Sequence, residues 1–388
     1  MLACQKNRFD ITEGVHYLNG AAYSPQLKSA LSIGEDAIRF KMQRPYQISS
    51  SYHFETANLV RKGFSRMINA GDDQSIAIIP AVSYGLATVA HNLHRLPGIA
   101  TKKNIVMVQD EFPDSLYAFQ RACEAFGLTI TTVKMDKTAP DFARQWNEDL
   151  LTAITPDTAL VICQHVHWMY GVKFDLVEIG RQCRSSGALF VVDGSQSVGV
   201  LPFDIQEIQP DALVVATYKW MFGIYGAALA YFGPFFDEGI PIEENWMNRA
   251  NSLDFTRLTQ YTREYLPKAH RYNTGEFSQF FQLPVLKDAI DTINDWGVGE
   301  LQDYSFRMAA PYLKRLEAAG CVFAGTQYRA AHLTGIRLPE NINLANLMNN
   351  LKTKQVHVSL RGDIVRLSVH IYTEEEDLER FCESVIIS

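Results

Sequence analysis

A lysine follows a buried-looking strand in the segment LVVATYKWMFG (213–223), and an aspartate ends the apolar run before it. Asp193 closes ALFVV (188–192), and Lys219 lies 26 residues further along the chain, which leaves room for one helix between them. Ligands of open α/β sheets bind at the carboxyl ends of the strands, so we expect both side chains to face one crevice. The pair suits a lysine that forms a Schiff base with pyridoxal phosphate (PLP) and an acid that keeps the pyridine nitrogen protonated.

Each of the two residues also has a structural interpretation. An isolated lysine at a strand end generally packs its stem and keeps its ammonium in solvent. Asp193 followed by Gly194 is typical of a turn or a helix cap. Taken alone, Asp193 therefore fits a structural role as well as a chemical one.

The elements that would position these side chains alternate from about residue 55 to 232. Short apolar runs predict buried strands at 75–80, 104–108, 158–163, 188–192 and 212–216, with amphipathic helices between them. The run AALAYF (227–232) follows too closely for a crossover helix, so it should lie antiparallel to 212–216 if the two strands pair. This pattern predicts an α/β fold with a mostly parallel sheet and one antiparallel strand.

The C-terminal part of the chain predicts a smaller α+β unit. A long helical stretch (about 283–319) precedes short strands within TGIRLP, QVHVSL and IVRLSVH, and EEEDLERFCESV forms a closing helix. We divide the chain into an N-terminal arm that joins the small domain (1–25), a large α/β domain (26–275) and a small α+β domain (276–388).

The composition excludes several classes of function. Lys and Arg number 36 against 43 Asp and Glu, and the net charge of -7 provides no basic field for nucleic acid or an anionic membrane. No apolar run has the length of a membrane span, and the N-terminus becomes polar too soon for a signal peptide. Six separate cysteines without a C-x-x-C pair are typical of a reduced protein. We expect a cytoplasmic enzyme for a small molecule, with no metal site.

The segment VVDGSQSVGVLPFDIQEIQPDALVVATYKWMFGIYGAALAYF (191–232) resembles the cofactor segment of class V aminotransferases. These belong to the fold type I PLP enzymes and include cysteine desulfurases, kynureninases and isopenicillin N epimerase-like proteins. The similarity extends from YLNGAAYSP (17–25) to LSVHIYTEEEDLERF (367–381). It implies bound PLP, an amino-acid substrate and a homodimer with the active site near the subunit interface.

The resemblance assigns roles to four residues of the central segment. Lys219 would carry PLP, and Asp193 would contact the pyridine nitrogen. Gln196 would lie near the phenolic oxygen of the cofactor, and Tyr218 would reach its phosphate. The structural alternative for Tyr218 is a core aromatic beside Trp220.

Three flanking motifs supply further candidates. PAVSYG (80–85) opens a helix at which the backbone of Val82 and the hydroxyl of Ser83 suit a phosphate, although Ser83 also fits a plain N-cap. Phe112 of EFPDSLY would stack on the cofactor ring, or it would only staple the following helix. Trp168 of HVHWMYG would line the pocket, with His167 as a neighbour without a role in the site.

The resemblance assigns the substrate carboxylate to Arg361 in VSLRGDIVRLSVHIY, because a planar guanidinium binds a carboxylate through two hydrogen bonds. Arg366 is the competing candidate. Its position in an alternating strand pattern favours structural pairing instead.

Two departures from the family pattern narrow the choice of reaction. No cysteine and no loop separate Arg361 from the last strand, where desulfurases carry their nucleophile, and Cys163 and Cys321 lie in apolar patterns that keep a thiol protonated. Glu276 stands where the family carries a threonine that reaches the phosphate of the neighbouring subunit. Either Ser278 replaces that threonine or Glu276 turns away.

The sequence thus predicts a homodimeric PLP enzyme that acts on an amino acid, with transamination as the favoured reaction. A kynureninase-like or C–S β-lyase reaction stays open because of FPDSLY and TYK, and epimerisation stays open because of Trp168. The alternative from another class is a PLP-fold binding protein without turnover.

Overall fold

Alternating strands and helices make up most of the chain, and the computed structural model describes residues 1–388. The strands are β1 (His16–Tyr17), β2 (Ile76–Ile79), β3 (Asn104–Val108), β4 (Thr129–Val133), β5 (Thr158–Gln164), β6 (Leu189–Asp193), β7 (Ala212–Ala216), β8 (Ala228–Phe232), β9 (Leu333–Arg337), β10 (Val356–His357), β11 (Ser359–Arg361) and β12 (Ile364–Ser368). The helices are α1 (Ser29–Gln43), α2 (Tyr52–Met67), α3 (Val82–Asn92), α4 (Pro113–Phe126), α5 (Phe142–Ala153), α6 (Leu176–Ser186), α7 (Ile205–Ile208), α8 (Gln282–Trp296), α9 (Val298–Ala318), α10 (Leu344–Thr353) and α11 (Glu375–Ile386).

Seven strands form the central sheet in the order β2-β8-β7-β6-β5-β3-β4. Strand β8 is antiparallel to both of its neighbours, and the other pairs are parallel. This confirms the predicted α/β fold, including the antiparallel pairing of 227–232 with 212–216. Alternate residues of the strands enter two separate apolar cores, because helices cover both faces of the sheet.

The sequence does not predict β4. This strand, TITTV, lies at the edge of the sheet beside β3, and only its last residue is buried. An edge strand needs no continuous apolar run, so the criterion that finds the central strands does not apply to it.

The C-terminal part contains the expected helices and short strands. The helical stretch is divided into α8 and α9 at Gly297, and β9 pairs with β12, which pairs with β11 in an antiparallel sheet. Strand β1 of the N-terminal segment pairs with β10, and Nδ1 of His16 lies 2.7 Å from Oδ1 of Asp377. The domain limits at residues 25 and 275 stay a prediction.

None of the eleven helices combines the length and the hydrophobicity that a bilayer crossing needs.

The loop after β5 and strand β9 approach each other closely at Gly335. Its N–H donates to the Tyr170 carbonyl at 3.3 Å, and a Cβ at this position would lie 2.4 Å from the carbonyl oxygen of Met169. In the small sheet, Gly335 is the direct partner of Arg366 on β12. The absence of a side chain at Gly335 therefore lets the strand pair that carries Arg366 lie against residues 169–170.

We expect Gly335→Ala to reduce the free energy of unfolding by about 1–3 kcal/mol, the usual cost of overpacking, because the added methyl meets backbone atoms that have no room to move. Urea unfolding of the protein without cofactor measures the change. Gly325→Ala is the matched control, because no heavy atom lies within 4 Å of the new methyl and the φ of Gly325 is -60°. Equal stability of the two variants would show that the contact at Gly335 is not tight.

Candidate active site

Lys219 and Asp193 line the same cavity, which has a volume of about 120 Å³. They converge because β6 ends at Asp193 and its parallel neighbour β7 ends three residues before Lys219, so both strands deliver their side chains to one edge of the sheet. Lys219 is only 9% exposed, which contradicts the interpretation that its ammonium reaches solvent.

The environment of Lys219 favours the uncharged amine. Burial lowers the pKa of Lys219 to about 8; the charge of Asp193 opposes this shift, and the guanidinium of Arg366 reinforces it. A lysine amine with a pKa near neutrality is a better nucleophile and a better base than a solvated lysine. Lys219 is therefore suited to attack an aldehyde and to carry a proton.

Asp193 has the features of both of its predicted roles, the turn residue and the buried acid. Its Oδ1 accepts a hydrogen bond from the backbone N–H of Ser195 at 2.8 Å, which is a turn contact. The residue is also buried in the cavity, and burial raises the pKa of Asp193 while the hydrogen bonds from Ser195 and the charge of Lys219 oppose the shift. The turn holds the acid in place beside Lys219.

Aromatic rings surround the Lys219 amine. Its Nζ lies 5.5 Å from the centroid of Phe112 and 5.6 Å from that of Tyr218, and both residues line the cavity. Trp168 lies behind Phe112, with the ring centroids 5.4 Å apart at 86°. The aromatic residues named by the sequence are thus brought together, although Trp168 is not part of the cavity wall.

The two residues predicted for the phosphate lie at the start of α3. Val82 is the first residue of this helix and lines the cavity, so the N-terminus of α3 faces it. Ser83 is exposed and does not line the cavity. Ala81, not Ser83, is the N-cap residue, which contradicts the capping interpretation of Ser83.

Gln196 is buried, and both ends of its amide are occupied by the protein. Its Nε2 donates to the Ala21 carbonyl at 3.0 Å, and its Oε1 accepts from Nε1 of Trp220 at 2.9 Å. These bonds tie the N-terminal segment to the residue that follows Lys219. The predicted contact of Gln196 with the cofactor stays a prediction.

The two candidate arginines differ in their surroundings. Arg361 is half-buried at the end of a hairpin, and its Nη1 donates to the Leu360 carbonyl. Arg366 is 2% exposed, and it donates to the Ser359 hydroxyl and the Trp168 carbonyl, each at 2.8 Å. These bonds are the structural pairing that its strand position predicts, but its Nη2 is buried without a hydrogen-bond partner and Arg366 forms no ion pair.

The hairpin that carries Arg361 is short. Only Gly362 and Asp363 separate it from β12, so there is no room for a mobile cysteine loop. Burial raises the pKa of Cys163, and it raises the pKa of Cys321 to about 11. These two thiols therefore stay protonated at neutral pH, as the sequence predicts.

The segment after Gly275 places its two polar residues differently. Glu276 is exposed and has a φ of 54°, whereas Ser278 is buried with its hydroxyl 3.4 Å from Nδ1 of His53. Which of them reaches a neighbouring subunit stays a prediction.

Two acids at the end of β3 were missed by the sequence analysis. Asp114 lines the cavity and its charge raises the pKa of Lys219, and the carboxyl group of Glu111 is buried close to Asp193. Both follow a predicted strand at its carboxyl end, and that position is the signal by which they could have been found.

A larger cavity of about 690 Å³ lies elsewhere, lined by residues that include His165, Phe174, Leu201 and Tyr328. It is a wide crevice that contains none of the residues discussed above. We place the active site in the smaller cavity, because that is where the buried amine and the buried acid meet.

Covalent capture of PLP by Lys219 should depend on pH with a midpoint at about 8, since only the unprotonated amine attacks an aldehyde. Asp193→Asn should move this midpoint lower, because the charge that favours the ammonium is removed. The measurement is the visible absorbance that develops when protein freed of cofactor is mixed with PLP across the pH range, with Lys219→Ala as the colourless control. A wild-type midpoint near the ordinary lysine value of 10.5 would contradict the buried environment.

Comparisons with known proteins identify the family of this chain. The family model "Aminotransferase class-V" matches residues 17–381. An uncharacterized aminotransferase, YcbU of Bacillus subtilis (strain 168), is 26% identical over 85% of this chain and 83% of its own length. Isopenicillin N epimerase of Streptomyces clavuligerus is 22% identical over 84% of this chain and 82% of its own length.

Solved structures of similar fold agree. A C-DES variant with glycine covalently linked to its PLP cofactor has a TM-score of 0.82 at 19% identity, covering 98% of this chain and 99% of the other. The apo cysteine desulfurase of Thermococcus onnurineus NA1 has a TM-score of 0.81 at 18% identity, covering 100% and 98%. These structures share the fold type I architecture. Because the family model spans nearly the whole chain, the protein belongs to the class V aminotransferase family and is a PLP-dependent enzyme.

Proposed function

We propose that this enzyme is an aminotransferase for an amino acid whose carboxylate binds Arg366. The observation that carries the proposal is the buried guanidinium of Arg366, which has a free donor and no anionic partner. A buried cation without a counterion is unfavourable, so this site suits an incoming carboxylate. We therefore assign the carboxylate to Arg366 in place of Arg361, which is only half-buried and gains less from an anionic partner.

The residues of the cavity fit PLP. Lys219 offers a buried amine, Asp193 offers a buried acid for the pyridine nitrogen, and the N-terminus of α3 suits the phosphate. Phe112 offers a ring beside the amine. When bound, PLP supplies the electron sink that lets a bond to the α-carbon of an amino acid break.

Side chains of the protein bind the substrate carboxylate and move the α-proton. Ser359 and the Trp168 carbonyl hold the guanidinium of Arg366, so that its free Nη2 is ready for a carboxylate oxygen. The Nζ of Lys219 accepts the α-proton of the substrate and returns it, a task for which a pKa of about 8 is well matched.

The short β11–β12 hairpin and the protonated thiols argue against persulfide formation on a cysteine of this chain. A kynureninase-like or C–S β-lyase reaction is the second candidate, supported by Phe112 and Tyr218, which both line the cavity. Membership of the class V family argues for an enzyme rather than a binding protein without turnover.

Members of the class V family are typically dimeric enzymes that act on amino acids. We propose a homodimer for this chain as well. Helix α1 buries none of its own residues, and it exposes 72% of Leu31, 53% of Ile38 and 78% of Met42. An apolar surface of this kind is typical of an interface. A cytoplasmic location stays a prediction.

An amino-acid panel tests the reaction. Purified protein loaded with PLP is mixed with each amino acid, and the visible spectrum, ammonia and keto acid are followed. We expect one equivalent of keto acid per site and conversion of the cofactor to its amine form, which an added keto acid reverses. Continuous release of ammonia would instead establish elimination, and loss of optical activity without keto acid would establish epimerisation.

Exchanging each arginine for lysine tests the carboxylate site. Arg366→Lys should raise KM by about 10- to 150-fold, which is the equivalent of one lost hydrogen bond to a charged group (about 1.5–3 kcal/mol). The reason is that a lysine ammonium keeps the positive charge but lacks the planar guanidinium that binds a carboxylate through two hydrogen bonds. Arg361→Lys is the matched control and should change KM by less than about 5-fold. Steady-state kinetics with the best substrate of the panel gives both values. A larger increase in KM for Arg361→Lys would show that the substrate carboxylate binds Arg361 instead.

A further inference from the structure

The carboxyl group of Glu111 is buried at the carboxyl end of β3, directly before Phe112. Its Oε1 accepts hydrogen bonds from Nε2 of Gln164 at 2.5 Å and from the N–H of Phe112 at 3.0 Å. Its Oε2 is buried without a partner in hydrogen-bond geometry, and the unpaired Ser115 hydroxyl is the further polar group that acts on this carboxyl group, with no cation beside it. None of the roles described above for the residues of the site involves this acid.

Glu111 is connected to two aromatic residues, Phe112, which lines the cavity, and Trp168, which lies behind Phe112. It binds the backbone of Phe112 directly. Through Gln164 it reaches Trp168, because Oε1 of Gln164 accepts the Trp168 N–H at 2.6 Å. The indole of Trp168 is held at its other end by the Asp110 carbonyl at 2.7 Å. One run of hydrogen bonds therefore links the backbone of Phe112, whose ring lies beside the Lys219 amine, to Trp168, whose ring packs perpendicular to that of Phe112.

The surroundings of Glu111 favour the neutral acid. A buried carboxylate that has no counterion and a second acid close by is unfavourable as an anion. Gln164 is the direct strand partner of Asp193, which brings the two acids near each other. Burial raises the pKa of Glu111 to about 8; the hydrogen bond from Gln164 opposes the shift, and the charge of Asp193 adds to it.

We propose that Glu111 is a positioning residue that acts as a neutral acid, holding Phe112 and, through Gln164, Trp168 in place beside the Lys219 cavity. The inference rests on the proposed function only in so far as the cavity binds PLP, and it is independent of the reaction type. As a neutral acid, Glu111 accepts the hydrogen bonds from Gln164 and Phe112 without adding a negative charge close to Asp193.

Stability of the protein without cofactor tests the protonation state. The folded protein retains a proton on Glu111 that the unfolded chain releases, so stability from this group is lost as pH rises from about 4.5 to about 8. Glu111→Gln is isosteric with the neutral acid and does not titrate. We expect the difference in Tm between Glu111→Gln and wild type to increase in favour of the variant as pH rises across that window. Above the window the difference should stay constant.

Glu124→Gln, the same exchange at an exposed position of α4, is the matched control and should show no such trend. Parallel curves for wild type and Glu111→Gln would mean that Glu111 is ionised, and the proposal would be overturned. This comparison needs neither PLP nor a substrate.

Loaded enzyme tests the positioning. Glu111→Ala removes both links, so we expect a weaker visible circular dichroism band of bound PLP and a loss in kcat of up to about 100-fold, as a small misplacement of the site predicts. Glu111→Gln should restore both. An unchanged dichroism band in the alanine variant, or a glutamine variant as impaired as the alanine variant, would refute the role. A wild-type protein that stays colourless with PLP would instead refute the proposed function. In that case the stability comparison would still decide the protonation state of Glu111.

Discussion

The burial of the Lys219 amine beside the Asp193 acid is the constraint on which the rest of the site depends. An ammonium removed from water is costly, and the nearby charges of Asp193 and Asp114 only partly offset that cost, while Arg366 adds to it. The result is an amine that gives up its proton near neutral pH. Parallel pairing of β6 with β7 makes this arrangement possible, because it ends both strands at one edge.

The carboxylate site that we propose is assembled from two separate parts of the chain. Arg366 comes from β12 in the C-terminal sheet, and Trp168 comes from the loop after β5 of the central sheet. The Trp168 carbonyl accepts a hydrogen bond from the guanidinium, so each part orients the other. Gly335 allows this contact, because a side chain there would occupy the position of the Met169 carbonyl.

The same fold supports several reactions in this family, and local features of this chain narrow the choice. A two-residue turn replaces the loop that would carry a nucleophilic cysteine, and the buried thiols named above stay protonated. A buried cation, a base with a lowered pKa and an aromatic wall remain. We propose that these groups serve the removal and return of an α-proton, which transamination, β-elimination and epimerisation share.

By itself, the sequence determined the sheet of alternating strands and helices, the antiparallel strand β8 and the lysine–aspartate pair, because these depend on apolar periodicity and on residues at strand ends. It did not reveal the edge strand β4, which has no apolar run, or the buried acid Glu111, whose charge suggests a surface residue. The sequence also favoured Arg361 as the residue that binds the substrate carboxylate, because the sequence pattern indicated only a strand position for Arg366. Only the tertiary structure shows the edge strand β4 and the burial of the Glu111 carboxyl group and of Arg366 without a counterion, since these arise from contacts between residues far apart in the chain.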